Sequence, residues 1–501
     1  MRIEIMDTTL RDGEQTSGVA YTAAEKLNLA KILLNEVKVD RIEGASARIS
    51  EGERDAVKRI TDWAKENDCL HKIEILGFVD GGKSLDWIHQ AGGKVINLLT
   101  KGSLNHLEGQ LKKTPEEHIS DIKKSLKLAK ELGIETNIYL EDWSNGMINS
   151  KEFVFYMLDN LKDTEIKRFM LPDTLGILNP DMITSFLKEV KNKYPTLHFD
   201  SHLHNDYDLA VGNTFSAIKA GIDGLHCTIN GLGERTGNTP LASVIGLHDH
   251  LDFETNVDEK TLNHVSRMVE VFSGISIPQN KPLVGDYVFT QACGVHADGD
   301  EKGDLYRNKL APERFGRKME YALGKTSGKA SVKKNLEDLG IVLSAENMAK
   351  VTRRVVELGD KKASITKDDL PYIISDIIGS EVVVEKVKLL NYYSIHVHNL
   401  KPVTTVKIEI DGTVFEETAT GDGQYDAFMK AISSIYSSFE KKLPVLKNYK
   451  ISIPPGGRTD ALVETIITWE SDENTEFKTR GLESDQQAAA VKATMKMLNQ
   501  I

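Results

Sequence analysis

The sequence predicts an α/β protein: a TIM (β/α)8 barrel, then a helical linker and lid region, then an α+β module built from two ββ(β)α-type repeats. Three observations carry this. About the first 235 residues alternate eight short apolar strands with amphipathic helices. Polar residues collect at the C-terminal ends of those strands, the catalytic face of such barrels. No Gly-rich fingerprint follows the first strand, which disfavours an open doubly wound sheet.

The strands are expected at 2–7 (RIEIMD), 40–45 (DRIEGA), 72–78 (KIEILGF), 94–99 (KVINLL), 136–141 (TNIYLE), 168–173 (RFMLPD), 197–204 (LHFDSHLH) and 223–229 (DGLHCTI). Helical periodicity fills the gaps at 22–37, 51–66, 83–90, 115–132, 150–162, 180–193 and 208–220. The polar strand ends are Arg11–Asp12, Glu43, Leu99–Thr100, Glu141–Asp142, Asp173–Thr174, His202–Asp206 and Asn230–Glu234. The barrel is expected to occupy 1–265 and the mostly helical linker and lid 266–387, with Gly-rich stretches at 294–308 and 324–331. From 388 to 501 the pattern changes to strands. Each half of that module is expected to end in a capped helix, one starting near Gly423 and one at Ser484–Asp485.

Composition is that of a soluble globular protein, with 40% hydrophobic and 28% charged residues. With 63 Lys and Arg against 75 Asp and Glu the formal net charge is −12, and no basic stripe is present. Nucleic acid and anionic membrane are therefore set aside as partners. Cys69, Cys227 and Cys293 match no zinc or redox spacing, so a reducing cytoplasm is expected. With a strand read at its start, no signal peptide is expected, and no apolar run approaches the roughly 20 residues of a membrane span.

Asp12 lies within the motif DTTLRDGEQ (7–15), and His202 and His204 lie in SHLHND (201–206). Two residues apart on a strand, both imidazoles face the same side. A carboxylate and two imidazoles on strand ends make a site for a divalent cation with open positions, and Asn238 just past the eighth strand is a candidate fourth ligand. Oxygen and imidazole donors without thiolate fit Mg2+, Mn2+ or Zn2+. Such an ion can chelate a 2-oxo acid and act as Lewis acid at its keto carbon. Arg11 is either a structural ion pair or the group that holds a substrate carboxylate and stabilises charge on the keto oxygen. Thr174 is placed to bind the same carboxylate, and Glu141 to act as acid, base or orienter. His296, on a Gly-flanked loop with Asp298 and Tyr306 nearby, is a candidate acid/base group supplied by a lid.

DTTLRDGEQ, SHLHND, NGLGERTGN, GVHADG, GDGQYDA and PPGGRTDA, in that order along nearly the whole chain, resemble the 2-isopropylmalate synthase, citramalate synthase and homocitrate synthase family. The resemblance implies a Claisen-type condensation of acetyl-CoA with a 2-oxo acid, followed by thioester hydrolysis. It implies metal ligands at Asp12, His202, His204 and Asn238, substrate binding by Arg11 and Thr174, and catalytic roles for Glu141 and His296, with Tyr306 beside it. It further implies a homodimer and an amino-acid-sensing function for 388–501, at Gly421, Asp422, Gly423, Asp426 and Asp460, with leucine or isoleucine as effector. Asp304 stands where an amide is expected from the resemblance.

Leu76, Leu99 and Tyr139, at strand ends, are expected to wall the pocket for the 2-oxo acid side chain. All are large and none is charged, so a second substrate carboxylate would be unpaired there. They favour a methyl over an isopropyl group, hence pyruvate and citramalate formation, and they resemble citramalate synthases at these positions. 2-Isopropylmalate synthase, using 2-oxoisovalerate, is the alternative. An acyl-CoA lyase of the same barrel class would carry a Cys in the loop after the eighth strand, and NGLGERTGN has none. A biotin-dependent carboxyltransferase would need a lysine at the metal, absent from SHLHND, and a dead barrel serving only as a sensor conflicts with the intact triad and Arg11.

Overall fold

The computed structural model describes residues 1–501 except 304, 361–364, 379–385, 440–441, 453–462, 472–475, 484 and 501. The chain divides into two units, Met1–Gln291 with His296–Tyr321, and Ala292–Val295 with Ala322–Ile501.

In the first unit eight parallel strands close into a barrel: β1 (Glu4–Asp7), β2 (Arg41–Ser46), β3 (Ile73–Phe78), β4 (Val95–Lys101), β5 (Glu135–Glu141), β6 (Phe169–Asp173), β7 (Phe199–Leu203) and β8 (Gly224–Cys227). β1 pairs with both β2 and β8, which closes the ring. The outward residues of each strand, such as Ile42, Ile75, Ile96, Ile138, Leu171, Phe199 and Leu225, are buried in the main hydrophobic core. Each such side chain is worth about 1.5–3 kcal/mol on burial.

The helices around the ring form for local reasons. Thr22 and Glu25 make a capping box at the start of Ala23–Ile32, and Thr114 and Glu117 make another before Pro115–Glu131. Glu51–Glu66 buries Ala56, Val57, Ile60 and Ala64 at three- and four-residue spacing. The expected helix 22–37 closes with a wider turn over Leu33–Val37 and stops at Lys38, whose φ is +63°. A helix at Trp143–Asn149, absent from the sequence-based expectation, follows Asp142 (φ +63°).

The inward positions are unusually polar for such a barrel. Arg41, Glu74 and Asp200 form a buried ion network, with Arg41 Nη1 2.8 Å from Glu74 and Nη2 2.8 Å from Asp200. β8 accommodates it through Gly224, where a Cβ would lie 2.0 Å from Asp200 Oδ1. Apolar inward residues gather in one separate cluster, Met6, Leu76, Tyr139 and Met170 with Leu99 against them.

The second unit holds helices Lys329–Asp338, Ala345–Asp360 and Leu370–Ile378 around Val332, Leu336, Val351, Val355 and Ile374. Two repeats follow. Strands Val387–Ile395, Val403–Ile410 and Thr413–Thr420 precede helix Gln424–Ser437, and strands Val445–Ser452, Val463–Glu470 and Glu476–Glu483 precede helix Gln486–Leu498. Each repeat forms its own antiparallel three-stranded sheet. They share a core that includes Val406, Ile408, Phe428, Ile432, Ile467, Trp469 and Met497. Asp485 caps the second helix by accepting from Ala488 N–H. The first starts where expected, with Gly423 at the cap position, though glycine has no side chain to offer there. Asp426 instead accepts the Asp422 N–H at 2.8 Å, and Lys430 pairs with the same oxygen. Among the described residues no helix is long and apolar enough to cross a membrane.

Candidate metal centre and substrate pocket

β7 places the two histidines. Alternation puts Asp200, His202 and His204 on the inner side, one above another toward the C-terminal rim. Asp12 arrives from the loop after β1, where its N–H bonds back to the Thr8 carbonyl. Asp12 Oδ2 is 3.2 Å from His202 Nε2 and 3.8 Å from His204 Nε2, and the two Nε2 atoms are 3.3 Å apart. Three donor atoms thus converge on one point, and all three residues are buried.

The side chains fit a cation. Asn238 Nδ2 donates to Asp12 Oδ2 at 2.5 Å, while its Oδ1 and His204 Nδ1 are buried without a hydrogen-bond partner. An amide turned over would present that oxygen to the carboxylate's ion. Gly233 makes room for Asn238, since a Cβ there would come within 2.5 Å of Nδ2. Burial works against a charged Asp12, but Arg11 and the imidazoles overcome it and hold its carboxyl well below the usual range. Burial, then the His202 ring, push the His204 imidazole down to about 4, which leaves its lone pair free at neutral pH.

Arg11 is fixed from two sides. Its Nε donates to Glu43 Oε2 at 2.6 Å and its Nη1 lies 3.3 Å from Asp12 Oδ1. Nη2 reaches the Tyr139 hydroxyl at 3.3 Å. Glu43 also accepts from Thr8 Oγ1 at 2.7 Å and Asn97 Nδ2 at 2.8 Å. Burial alone would raise the Glu43 carboxyl, but Arg11 and these hydrogen bonds lower it below its usual value. Arg11 therefore makes the ion pair of the first reading, with Glu43, and its Nη1 stands beside Asp12.

Leu76, Leu99 and Tyr139 come together in the apolar cluster, directly next to Arg11 through the Tyr139 hydroxyl. Thr174 accepts the Asp142 N–H at 2.9 Å, which leaves its hydroxyl proton for another partner. Glu141 ends β5 in an ion pair with Lys101, the last residue of β4. Lys101 also reaches Gln110 at 2.6 Å. His296 and Tyr306 stack with ring centroids 4.2 Å apart, and His296 Nδ1 is 2.9 Å from Gln291 Oε1. His296 does not lie on a loop: it is inside helix Gly294–Glu301, and Asp298 pairs with Lys302 rather than with it. The glycines that suggested a loop serve close packing, for a Cβ at Gly299 would meet the Tyr306 ring at 2.4 Å. In the second unit Gly421, Asp422, Gly423 and Asp426 surround the first helix start, and Asp460, like Asp304 and Ser484, lies outside the described residues.

Sequence reasoning assigned no role to Glu43, Lys101, Asp200 or His226. His226 on β8 is buried, with Nε2 3.2 Å from Asp200 Oδ2 and Nδ1 3.3 Å from His202 Nδ1. The period-2 run His198, Asp200, His202, His204 was the available signal for Asp200.

The barrel carries at its C-terminal rim an Asp–His–His cluster that could hold a metal ion, with an arginine beside the carboxylate, on the face where barrels of this kind place their active sites. The HMGL-like family matches residues 2–269, and the chain belongs to it. Residues 283–363 match the homocitrate synthase post-HMGL domain-like family, and 364–501 the LeuA allosteric (dimerisation) domain. The putative (R)-citramalate synthase of Archaeoglobus fulgidus is 32% identical over 100% of both chains. The (R)-citramalate synthase of Methanocaldococcus jannaschii is 33% identical, again over 100% of both. The probable 2-isopropylmalate synthase of Methanopyrus kandleri is 32% identical over 100% of this chain and 98% of its own. The protein is an enzyme of the condensing acyltransferase class.

Proposed function

We propose that the enzyme condenses acetyl-CoA with pyruvate and water to give citramalate and CoA, on the path to isoleucine. The observation that carries this reading is the cluster of Leu76, Leu99 and Tyr139 with Met6 and Met170, packed against the arginine beside the metal ligands. Large apolar walls at that spot accept a methyl group and leave little room for an isopropyl.

Asp12, His202, His204 and the Asn238 carbonyl would hold a divalent cation, Mg2+, Mn2+ or Zn2+. When bound, it supplies Lewis acidity at the keto group. Arg11 faces the charge that develops on the keto oxygen, and Thr174 offers its hydroxyl to the substrate carboxylate. The acetyl methyl loses a proton, its carbon bonds to the keto carbon, and the keto oxygen gains a proton. Water then cleaves the thioester, releasing the CoA thiol and a second carboxylate. Glu141, oriented by Lys101, and His296 with Tyr306 are the acid/base groups assigned to these transfers.

The match of 364–501 to an allosteric (dimerisation) domain supports a homodimer that binds a branched-chain amino acid at Gly421–Asp426 and Asp460 and is inhibited by it. Net charge −12 supports the absence of a nucleic-acid or anionic-membrane partner, and the three cysteines, far apart in sequence, are consistent with a reducing cytoplasm. The test is CoA release from acetyl-CoA with pyruvate and with 2-oxoisovalerate, each with and without chelator. Faster, chelator-sensitive turnover with pyruvate supports the reading. Preference for 2-oxoisovalerate would make it a 2-isopropylmalate synthase and remove these residues as a barrier to larger side chains.

A further inference from the structure

The geometry points to His226 as a positioning residue for the metal centre, one that fixes the His202 ring through a hydrogen bond between the two Nδ1 atoms. The inference rests on the assignment of Asp12, His202 and His204 as metal ligands. His202 and His204 both turn Nε2 toward Asp12 Oδ2. A ligand imidazole gives its Nε2 lone pair to the ion, so its ring proton resides on Nδ1. On His202 that N–H has one buried nitrogen acceptor in reach, His226 Nδ1 at 3.3 Å. As the acceptor there, His226 carries its own proton on Nε2, which donates to Asp200 Oδ2 at 3.2 Å.

Asp200 is anchored in turn. Arg41 Nη2 binds the same oxygen at 2.8 Å, and His198 Nε2 is 2.8 Å from Oδ1. In the chain His202 → His226 → Asp200 each imidazole donates to the next member, and the Asp200 carboxylate accepts at its end. Metal-bound histidines are commonly held by such a partner on the far ring nitrogen, which sets both tautomer and ring angle. Here the partner is itself a histidine, braced from below by the Arg41 network.

The same His226 Nδ1 lies 3.1 Å from the Tyr139 hydroxyl, which has a second acceptor in Glu43 Oε2 at 3.4 Å. His226 has one lone pair at Nδ1 and two donors beside it. When His202 donates, the Tyr139 proton turns to Glu43. One side chain therefore touches both a metal ligand and the pocket wall.

The test is Mn2+ binding to the full chain by calorimetry or electron paramagnetic resonance. His226→Leu, which removes the acceptor, is expected to weaken Mn2+ binding about 10- to 100-fold. His226→Asn, whose amide oxygen can accept from His202, is expected to recover most of it. A purely structural role would not give this order at matched thermal stability. A Kd for His226→Leu within twofold of wild type overturns the inference. His202→Ala separates the two readings. If it leaves Mn2+ binding intact, the metal assignment fails; if it abolishes binding while His226→Leu does not change it, only the present inference fails. Should the leucine variant not fold, 15N-histidine spectra of the wild type decide, with the His226 signal assigned by its loss in His226→Asn. The neutral Nε2–H tautomer is expected, and a proton on Nδ1 overturns the inference.

Discussion

Arg11 Nε lies 2.6 Å from Glu43 Oε2, so the carboxylate on β2 orients the guanidinium that stands beside Asp12. Glu43 is fully buried, and the Arg11 side chain is 10% exposed. One edge of the arginine is thus committed to the fold, while Nη1 and Nη2 point to Asp12 and Tyr139. A charge-assisted hydrogen bond is worth about 1.5–3 kcal/mol. Glu43→Gln is therefore expected to lower kcat/KM about 10- to 100-fold without loss of metal. Arg11→Ala is expected to lower it by about 100- to 1000-fold or more, the scale of removing a donor to a developing oxyanion. Steady-state kinetics with metal analysis checks both, and turnover near wild type in Arg11→Ala would refute the role.

Chelation is expected to abolish turnover, and Mn2+ to raise thermal stability. At a free metal concentration of 100 times Kd the stabilisation is about 2.7 kcal/mol. His204→Ala should remove both the thermal shift and the activity, since its Nε2 is one of the three converging donors. Differential scanning calorimetry with and without metal reads this. A shift that persists in His204→Ala would place the bound ion elsewhere.

Leu99 packs against the cluster of Met6, Leu76, Tyr139 and Met170, and Leu99→Ala removes the bulk of its side chain. The added space is expected to shift kcat/KM from pyruvate toward 2-oxobutyrate and 2-oxoisovalerate. Apolar discrimination runs at about 1–3 kcal/mol per methylene, so a change of about 10-fold or more in the ratio is expected. An unchanged ratio would mean that this wall does not meet the substrate.

Much of this arrangement was legible in the sequence because barrel strands and amphipathic helices write their period directly. The helices Glu51–Glu66, Lys83–Gln90 and Pro180–Lys193 fall on the ranges expected from apolar spacing. The period-2 run through β7 likewise put both histidines on one face. What sequence missed has physical causes. Trp143–Asn149 is short, contains Ser, Asn and Gly, and starts after an Asp in the left-handed region, so no periodic stripe announces it. His296 was placed on a loop because glycine reads as punctuation, whereas Gly299 is there to let the Tyr306 ring approach. Glu43 and His226 face partners 32 and 24 residues away, Arg11 and His202, and the pairing of neighbouring strands, β1 with β2 and β7 with β8, brings them together.

The C-terminal module is expected to carry regulation. Removing 388–501 should abolish inhibition by leucine and isoleucine. Asp426→Ala, which removes the carboxylate that accepts the Asp422 N–H, should weaken it in the full chain. Inhibition assays on both proteins check this, and intact inhibition in the truncated chain would exclude the module as the effector site.

His118 gives the pH dependence a defined sign. It is 1% exposed and its Nε2 accepts the Lys101 N–H at 3.1 Å, while its Nδ1 has no hydrogen-bond partner. Burial, then the charges of Lys113 and Lys101, push the imidazole down to about 4 from an ordinary value of 6.5. The unfolded chain therefore binds a proton below about pH 6.5 that the folded one refuses until about pH 4. Stability from this group is fully present above pH 6.5 and drains away as the pH falls through that window. A depression of this size corresponds to at most about 3 kcal/mol. His118→Gln keeps an acceptor for Lys101 N–H and has no proton to gain. Relative to wild type, its Tm should therefore rise steadily between pH 7 and pH 4.5. Protonation of His118 removes the acceptor of the Lys101 N–H, and the Lys101 ammonium pairs with Glu141. Activity of the wild type should accordingly fall on the acid side before the fold is lost, and a parallel fall in His118→Gln would assign that limb to another group.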